Sequence, residues 1–252
     1  MRVFTILIPL VGIASMGLAQ DKAKPSDPIT TDRPDFTESS VVVPKKWLQI
    51  ESGLTYQGFR SGSVFTGPEL LTRYGLSDRS ELRLGLPDYG RMRVAGRNRH
   101  GFGDTYLGAK FQIGPLKNGD DVAVIPAVSI PSGNANFSSG STDFELKICW
   151  STSLGAKWTL AAMAYGLWTT NDGDRALVYQ QTASFGRELT DKLAMFIEYA
   201  GSFQKFGQPD HVAHAGFVYQ PSANTQVDIH GGFSMNGPDR TPFIAAGYSI
   251  RF

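Results

Sequence analysis

Cysteine is nearly absent from this chain, and Cys149 stands alone. A single thiol excludes an intrachain disulfide and any metal site built on paired cysteines. A charge surplus is missing too. The 24 Lys and Arg are matched by 23 Asp and Glu, so no basic excess points to nucleic acid. Beyond the first twenty residues no apolar run approaches the roughly 18 residues of a helical membrane span. No long stretch repeats apolar residues at helical spacing either. These absences leave strands as the structural vocabulary.

What is present begins with MRVFTILIPLVGIASMGLAQ. Arg2 supplies a positive start, an apolar stretch follows, and Gly17, Leu18 and Ala19 make a small-x-small cleavage site. The expectation is a secretory signal peptide over residues 1–19, cleaved after about Ala19. No cysteine follows it, so lipid attachment is not expected. Removing residues 1–19 takes away only Arg2 and leaves 23 charges of each sign, a net charge of zero. An exported domain without disulfides draws its stability from an extensive core, from oligomerisation or from a membrane.

From Trp47 onward the chain alternates. Leu48, Ile50, Ser52, Leu54 and Tyr56 interleave with Gln49, Glu51, Gly53, Thr55 and Gln57. Leu82, Leu84 and Leu86 interleave with Glu81, Arg83 and Gly85. Leu107, Ala109 and Phe111 do so with Gly108, Lys110 and Gln112, and Phe144, Leu146, Ile148 and Trp150 with Asp143, Glu145, Lys147 and Cys149. The second half repeats the pattern around Tyr179, Ile197 and Ile229. Period two means strands with one apolar and one polar face. The count predicts about twelve strands of roughly nine to twelve residues, the length that a tilted strand needs to cross a bilayer.

The connections alternate as well. Turns at 75–79, 153–156, 188–191 and 221–224 are tight. Longer Gly-, Asn- and Ser-rich connections are expected at 60–67, 87–103, 131–141, 170–175, 204–210 and 236–240. Outer-membrane barrels have short periplasmic turns and longer external loops, so both termini fall on the periplasmic side. The chain ends in GYSIRF, with Tyr248, Ile250 and Phe252 on one face. Such a terminal aromatic strand resembles the signal by which the barrel-assembly machinery recognises its clients. Trp47, Trp150, Trp158 and Trp168 lie near strand ends, as interfacial girdles require.

If the apolar faces meet lipid, the polar faces line a lumen. That assigns Glu51, Glu81, Arg83, Lys110, Asp143, Glu145, Lys147, Glu198, Asp228 and His230 to the interior as pore candidates. Asp228 and His230, two apart, share a face in a spacing similar to the catalytic dyad of omptin proteases. The second acidic pair those enzymes need is missing, because Asp120 and Asp121 are contiguous and point to opposite faces. A hydrogen-bonded lumen network is expected, and no enzyme activity. No G-x-S-x-G occurs. His211 and His214 are three apart on an apparent strand and so diverge, which argues against a metal site. No cofactor is expected. Arg91, Arg93, Arg97, Arg99 and His100 crowd the longest connection, where guanidinium groups suit the phosphates of lipopolysaccharide. A solvated loop is the alternative.

Two stretches, TTDRPDFTES (30–39) and PELLTRYGLSDRSELRLG (68–85), resemble hallmark segments of the family named Putative MetA-pathway of phenol degradation, whose members are often labelled transporters. The order of export signal, TDRPD-type segment and barrel-like strands is similar over most of the mature chain. The resemblance implies an outer-membrane barrel and an association with aromatic-compound catabolism. Within the first stretch, Thr31, Asp32, Arg33, Pro34, Asp35, Thr37 and Glu38 are charged, polar or stiff. A periplasmic segment (20–45) of this kind has three readings. It is a tether or partial plug, pairing with lumen charges such as Glu81, Arg83, Asp143, Glu145 and Lys147; a solvated leader; or an epitope for a partner.

The sequence thus predicts an all-β protein: a signal peptide, a short N-terminal segment and an antiparallel transmembrane barrel over 46–252. The expected role is passive passage of small, hydrophobic or aromatic, molecules across the outer membrane. A structural or adhesive barrel with a closed lumen is the alternative, and a barrel hydrolase comes third. Expected partners are outer-membrane lipid and lipopolysaccharide, the assembly machinery through Phe252, and small solutes, with no nucleic acid.

Overall fold

The structure, a computed structural model, describes residues 27–171, 174–204, 208–236 and 241–252. The expected signal peptide and residues 20–26 lie outside the described residues, as do parts of the connections at 170–175, 204–210 and 236–240. Among the described residues fifteen strands occur and no helix. They are β1 (Leu48–Phe59), β2 (Gly62–Thr66), β3 (Leu71–Ser77), β4 (Ser80–Gly85) and β5 (Tyr89–Val94). Next come β6 (Arg97–Phe102), β7 (Thr105–Gln112), β8 (Asp121–Ile130), β9 (Asp143–Ser153) and β10 (Trp158–Asn171). The last five are β11 (Asp174–Glu188), β12 (Leu193–Gln204), β13 (Asp210–Ser222), β14 (Thr225–Ser234) and β15 (Phe243–Arg251).

The strands pair antiparallel with their neighbours in one sheet. Twelve of them, β1, β3, β4 and β7 to β15, follow one another round it, and β15 returns to β1. Closure satisfies the edge groups that an open sheet would expose to lipid. At the seam Leu48 and Phe252 exchange two backbone hydrogen bonds of 3.1 and 2.8 Å. The chain is therefore the expected barrel of about twelve strands.

The other three strands replace loops that the sequence predicts at 60–67 and 87–103. β2 folds back on the upper half of β1, β5 pairs with β2, and β6 pairs with β5. β3 in turn reaches β1 only over Leu48 to Glu51. The strands are short and rich in glycine and arginine, so they lack the apolar alternation that marks a membrane strand. Their turn is nevertheless coded: Ala95 and Gly96 take φ of 46° and 78°, the left-handed pair that suits the twist of a two-residue hairpin.

Side-chain direction follows the predicted alternation. Leu54, Tyr56, Leu82, Leu107, Phe144, Ile148, Ile197, Ile229 and Ile244 are all exposed on the outer face. In water such a band would be a liability; around a closed barrel it is the lipid surface. Aromatic side chains gather at both ends of the outer face. Trp158 stacks on Phe185 at 4.8 Å between ring centres near the end that carries the C-terminus, and Tyr199 stacks on His211 at 5.9 Å near the other. The inner face of β8 to β10 is the apolar part of the interior, where Ile125, Cys149 and Met163 pack under Tyr165. Elsewhere the interior is mostly polar, with Phe196, Val42 and Val43 among its buried apolar side chains.

Candidate functional site

Residues 27–44 run inside the barrel. They enter beside the β13–β14 turn, where Ile29 donates its N–H to the Ala223 carbonyl at 2.7 Å. They cross to β12 at Phe36 and Thr37, then return to the β3–β4 end, where Lys45 bridges Gly75. The segment forms no strand or helix, so each backbone group it buries needs a partner from the walls. Side chains supply them. Glu51 accepts the N–H groups of Asp32 (2.9 Å) and Arg33 (3.1 Å), Glu198 those of Phe36 (2.9 Å) and Thr37 (2.7 Å), and Glu81 that of Val43 (2.7 Å). In the other direction Gln49 donates to the Thr30 carbonyl, Lys110 to Ser39 and Arg73 to Val41.

Asp32 is the centre of a buried charge cluster. Its carboxylate accepts from the Ser39 N–H (2.9 Å), the Ser39 hydroxyl (2.7 Å), the Lys110 ammonium (2.7 Å) and the Arg83 guanidinium, and Arg73 stands 3.3 Å away. Arg73 also holds Glu51 and Glu81 at 2.9 and 2.8 Å, and Arg83 holds Glu38 at 2.7 Å. Lys147 completes the set with Glu38 and lies 5.0 Å from the Tyr165 ring centre. Four carboxylates, Asp32, Glu38, Glu51 and Glu81, thus meet four cations, Arg73, Arg83, Lys110 and Lys147. A buried charge is tolerated only when paired and hydrogen-bonded, and here the pairing depends on the segment for two of the four anions.

Arg33 lies in a slot. A Cβ on Gly53 of β1 or on Gly247 of β15 would overlap its guanidinium, and these two glycines sit directly opposite each other across the seam. The flattened wall lets Arg33 reach Glu69 at 2.8 Å, Asp228 at 3.3 Å and His230 Nε2 at 3.2 Å. A guanidinium only donates, so His230 Nε2 must accept and its Nδ1 carries the proton. That proton faces His214 Nε2 at 2.8 Å, which leaves His214 Nδ1 to donate to Glu198 at 2.7 Å. Glu198 is the residue that grips Phe36 and Thr37. Two neutral histidines in fixed tautomers therefore link the two halves of the segment through the wall, and the Phe36 ring lies 4.8 Å from His214.

Several predicted interior residues converge here: Glu51, Glu81, Arg83, Lys110, Lys147, Glu198, Asp228 and His230 all touch the segment or one another. Glu145 enters through Lys147, at 3.5 Å. Asp143 does not; it accepts from Thr169 and Thr170 near the far rim. Thr31, Asp32, Arg33, Asp35, Thr37 and Glu38 of the motif each bond within the lumen, Asp35 through Ser184 at 2.7 Å, and Pro34 is buried between them. The sequence reading overlooked Arg73 and Glu69, whereas Gln49 and Gln112 lie on polar faces it turned inward and bond to Thr30 and Val42. Arg73 falls inside the 68–85 stretch, but Thr72 on the outer side of β3 breaks the apolar alternation that would have revealed its facing. Among the described residues no group of three or more His, Cys, Asp or Glu converges on a metal position.

Beyond the segment, toward the end opposite the C-terminus, lies a cavity of about 670 Å³. Leu70, Leu71, Leu86, Phe36 and Phe243 give it apolar patches, while Glu69, Asp88, Asp104 and Asp210 share its wall with Arg33, Arg83 and Lys147.

Residues 31–252 match the family described as Putative MetA-pathway of phenol degradation. Among solved structures the chain is similar to the COG4313 outer membrane channel from Pseudomonas putida F1, at 16% identity and a TM-score of 0.65, over 92% of this chain and 100% of that one. It is also similar to the NanC porin (11%, TM-score 0.57, covering 81% and 98%) and the KdgM porin (12%, TM-score 0.54, covering 81% and 99%). No curated protein sequence matches it. At these identities the likeness carries the fold.

Proposed function

The chain belongs to the Putative MetA-pathway of phenol degradation family, and from that membership and the occupied lumen we propose that it is a bacterial outer-membrane channel for small molecules, with residues 27–44 setting its conductance. The barrel lies in the outer membrane with its C-terminal end facing the periplasm. The observation that carries the reading is the way the lumen is obstructed. A lumen lined by polar side chains is interrupted by one irregular segment, and the segment is held by side chains rather than by strand pairing. A second supporting feature is the cavity beyond it, whose leucine and phenylalanine patches beside carboxylates suit solutes with an apolar body and a polar group. Hydrophobic or aromatic small molecules fit that description.

Planar-bilayer recording of the full chain and of a form lacking residues 30–39 tests the proposal. The full chain should give small, solute-dependent currents and the deletion larger ones, both from heat-modifiable folded protein. If neither form conducts while both fold, the channel reading is overturned and a filled structural barrel remains.

A further inference from the structure

The β5–β6 hairpin and the β2 strand beside it stand above the rim opposite the C-terminus, and their two faces differ. Directly paired residues share a face, so Tyr89 and Phe102 lie together, followed along the hairpin by Arg91 with His100 and by Arg93 with Asn98. Through Phe65 on β2 this face continues to Tyr56 on the outer, lipid-facing side of β1. The opposite face carries Met92, Val94, Arg97 and Arg99 and continues to Gln57, which lines the lumen cavity. Arg99 donates to Asn136 at 3.2 Å on that inner side.

On the outer face the transition is abrupt. Tyr89 and Phe102, rings 5.6 Å apart, end the aromatic belt, and the first guanidinium follows two residues later, about 7 Å higher. Arg91, Arg93 and His100 are exposed. No Asp or Glu occurs in residues 57–67 or 89–102, so nothing on the hairpin offsets their charge. Among the described residues Arg91 and Arg93 have no ion-pair partner. Exposed cations protecting an edge strand would need no such facing. Guanidinium groups placed one step above a lipid-facing aromatic belt meet the level at which a bilayer carries its phosphates.

We propose that the outward face of this hairpin, through Arg91 and Arg93 with His100 beside them, binds the phosphate groups of lipopolysaccharide in the outer leaflet. The geometry fits a fixed anion at the membrane surface. The planar fork of arginine engages phosphate oxygens two at a time, and Arg91 and Arg93 project from the same face. Tyr89 and Phe102 below them contact the acyl chains of the same lipid. The orientation rests on the outer-membrane reading above, but the binding chemistry does not depend on conduction.

The test is native mass spectrometry of the full chain in detergent with added deep-rough lipopolysaccharide, and separately with phosphatidylglycerol. Arg91→Gln with Arg93→Gln should weaken lipopolysaccharide binding by about ten- to a hundred-fold, since each charge-assisted hydrogen bond is worth roughly a decade in affinity. Arg97→Gln with Arg99→Gln, which removes equal charge from the inner face, should leave it within about two-fold of the native chain by the same reasoning. Both variants should keep the heat-modifiable mobility of the folded barrel, and the single variant Arg91→Gln provides an intermediate step. Equal weakening by the two pairs, no weakening by either, or phosphatidylglycerol binding with the same strength and the same sensitivity would overturn the proposal. A failure of orientation is read separately, from protease access to a tag at Gly96 on intact cells.

Discussion

Replacing Asp32 with alanine probes the docked segment at its most connected point. The change removes the acceptor for the Ser39 N–H and hydroxyl, for Lys110 and for Arg83, and it strips the 3.3 Å pair with Arg73. Deleting one partner of a buried ion pair costs about 3–5 kcal/mol, because the remaining charge stays buried without compensation. That cost applies to the docked state alone. With the segment withdrawn, Arg73, Arg83 and Lys110 meet water in both the native and the variant chain. The balance of docked and withdrawn forms should therefore shift toward the open lumen by roughly two to three and a half powers of ten. Single-channel recording would register it as more frequent or permanent large openings, and liposome swelling as faster solute influx. Asp35→Asn is the contrast, since that carboxylate accepts from Ser184 and faces Glu198 rather than a cation; its effect should be small. Raising the salt concentration should not imitate Asp32→Ala, because buried pairs are screened far less than exposed ones. Folded Asp32→Ala protein with native open probability and native swelling rates would refute the idea that this cluster holds the segment in place.

Gly247→Ala should expel the Arg33 guanidinium from its slot and loosen the contacts to Glu69 and Asp228. A loss of about 1–3 kcal/mol in docking would show as increased conductance from a barrel of unchanged thermal stability. Glu198→Ala removes the acceptor of Phe36, Thr37 and His214 together, and should raise conductance more than His214→Ala, which leaves the two backbone bonds intact. A tag near Gly96 should be cut by external protease on intact cells and one near Asp78 should not; reversed labelling would invert the assigned orientation. Deleting Phe252 removes both seam bonds to Leu48, and should slow insertion and lower the yield of heat-modifiable protein, as pulse-chase fractionation would reveal.

Much of the architecture was legible because facing on a strand is a local property. The period-two alternation around Leu82, Ile148 and Ile229 gives the lipid face wherever the strand pairs, and it places Glu81, Lys110, Glu198 and Asp228 inside by the same count. Tight turns at 75–79 and 221–224 were marked by their own turn residues. The β5–β6 hairpin was hidden because nothing buries either of its faces deeply enough to impose an apolar stripe, although the turn at Ala95 and Gly96 is local chemistry.

The contacts of the lumen are different in kind. Gly53 and Gly247 form one slot only because β15 closes on β1, and His214 meets His230 only because β13 and β14 pair in that register. Neither glycine looks unusual in its own strand. The density of charge in TTDRPDFTES is a sequence fact, but its meaning depends on what surrounds it. Solvated, Asp32 would be an ordinary surface carboxylate; enclosed by Arg73, Arg83 and Lys110, it ties the segment to three neighbouring strands, 41, 51 and 78 residues further along the chain (73 − 32, 83 − 32, 110 − 32). A sequence can place charges on the inner face of a barrel. Which of them meet is decided by closure, because only the closed wall brings distant strands within hydrogen-bonding distance of one segment and removes the water that would otherwise have kept them apart.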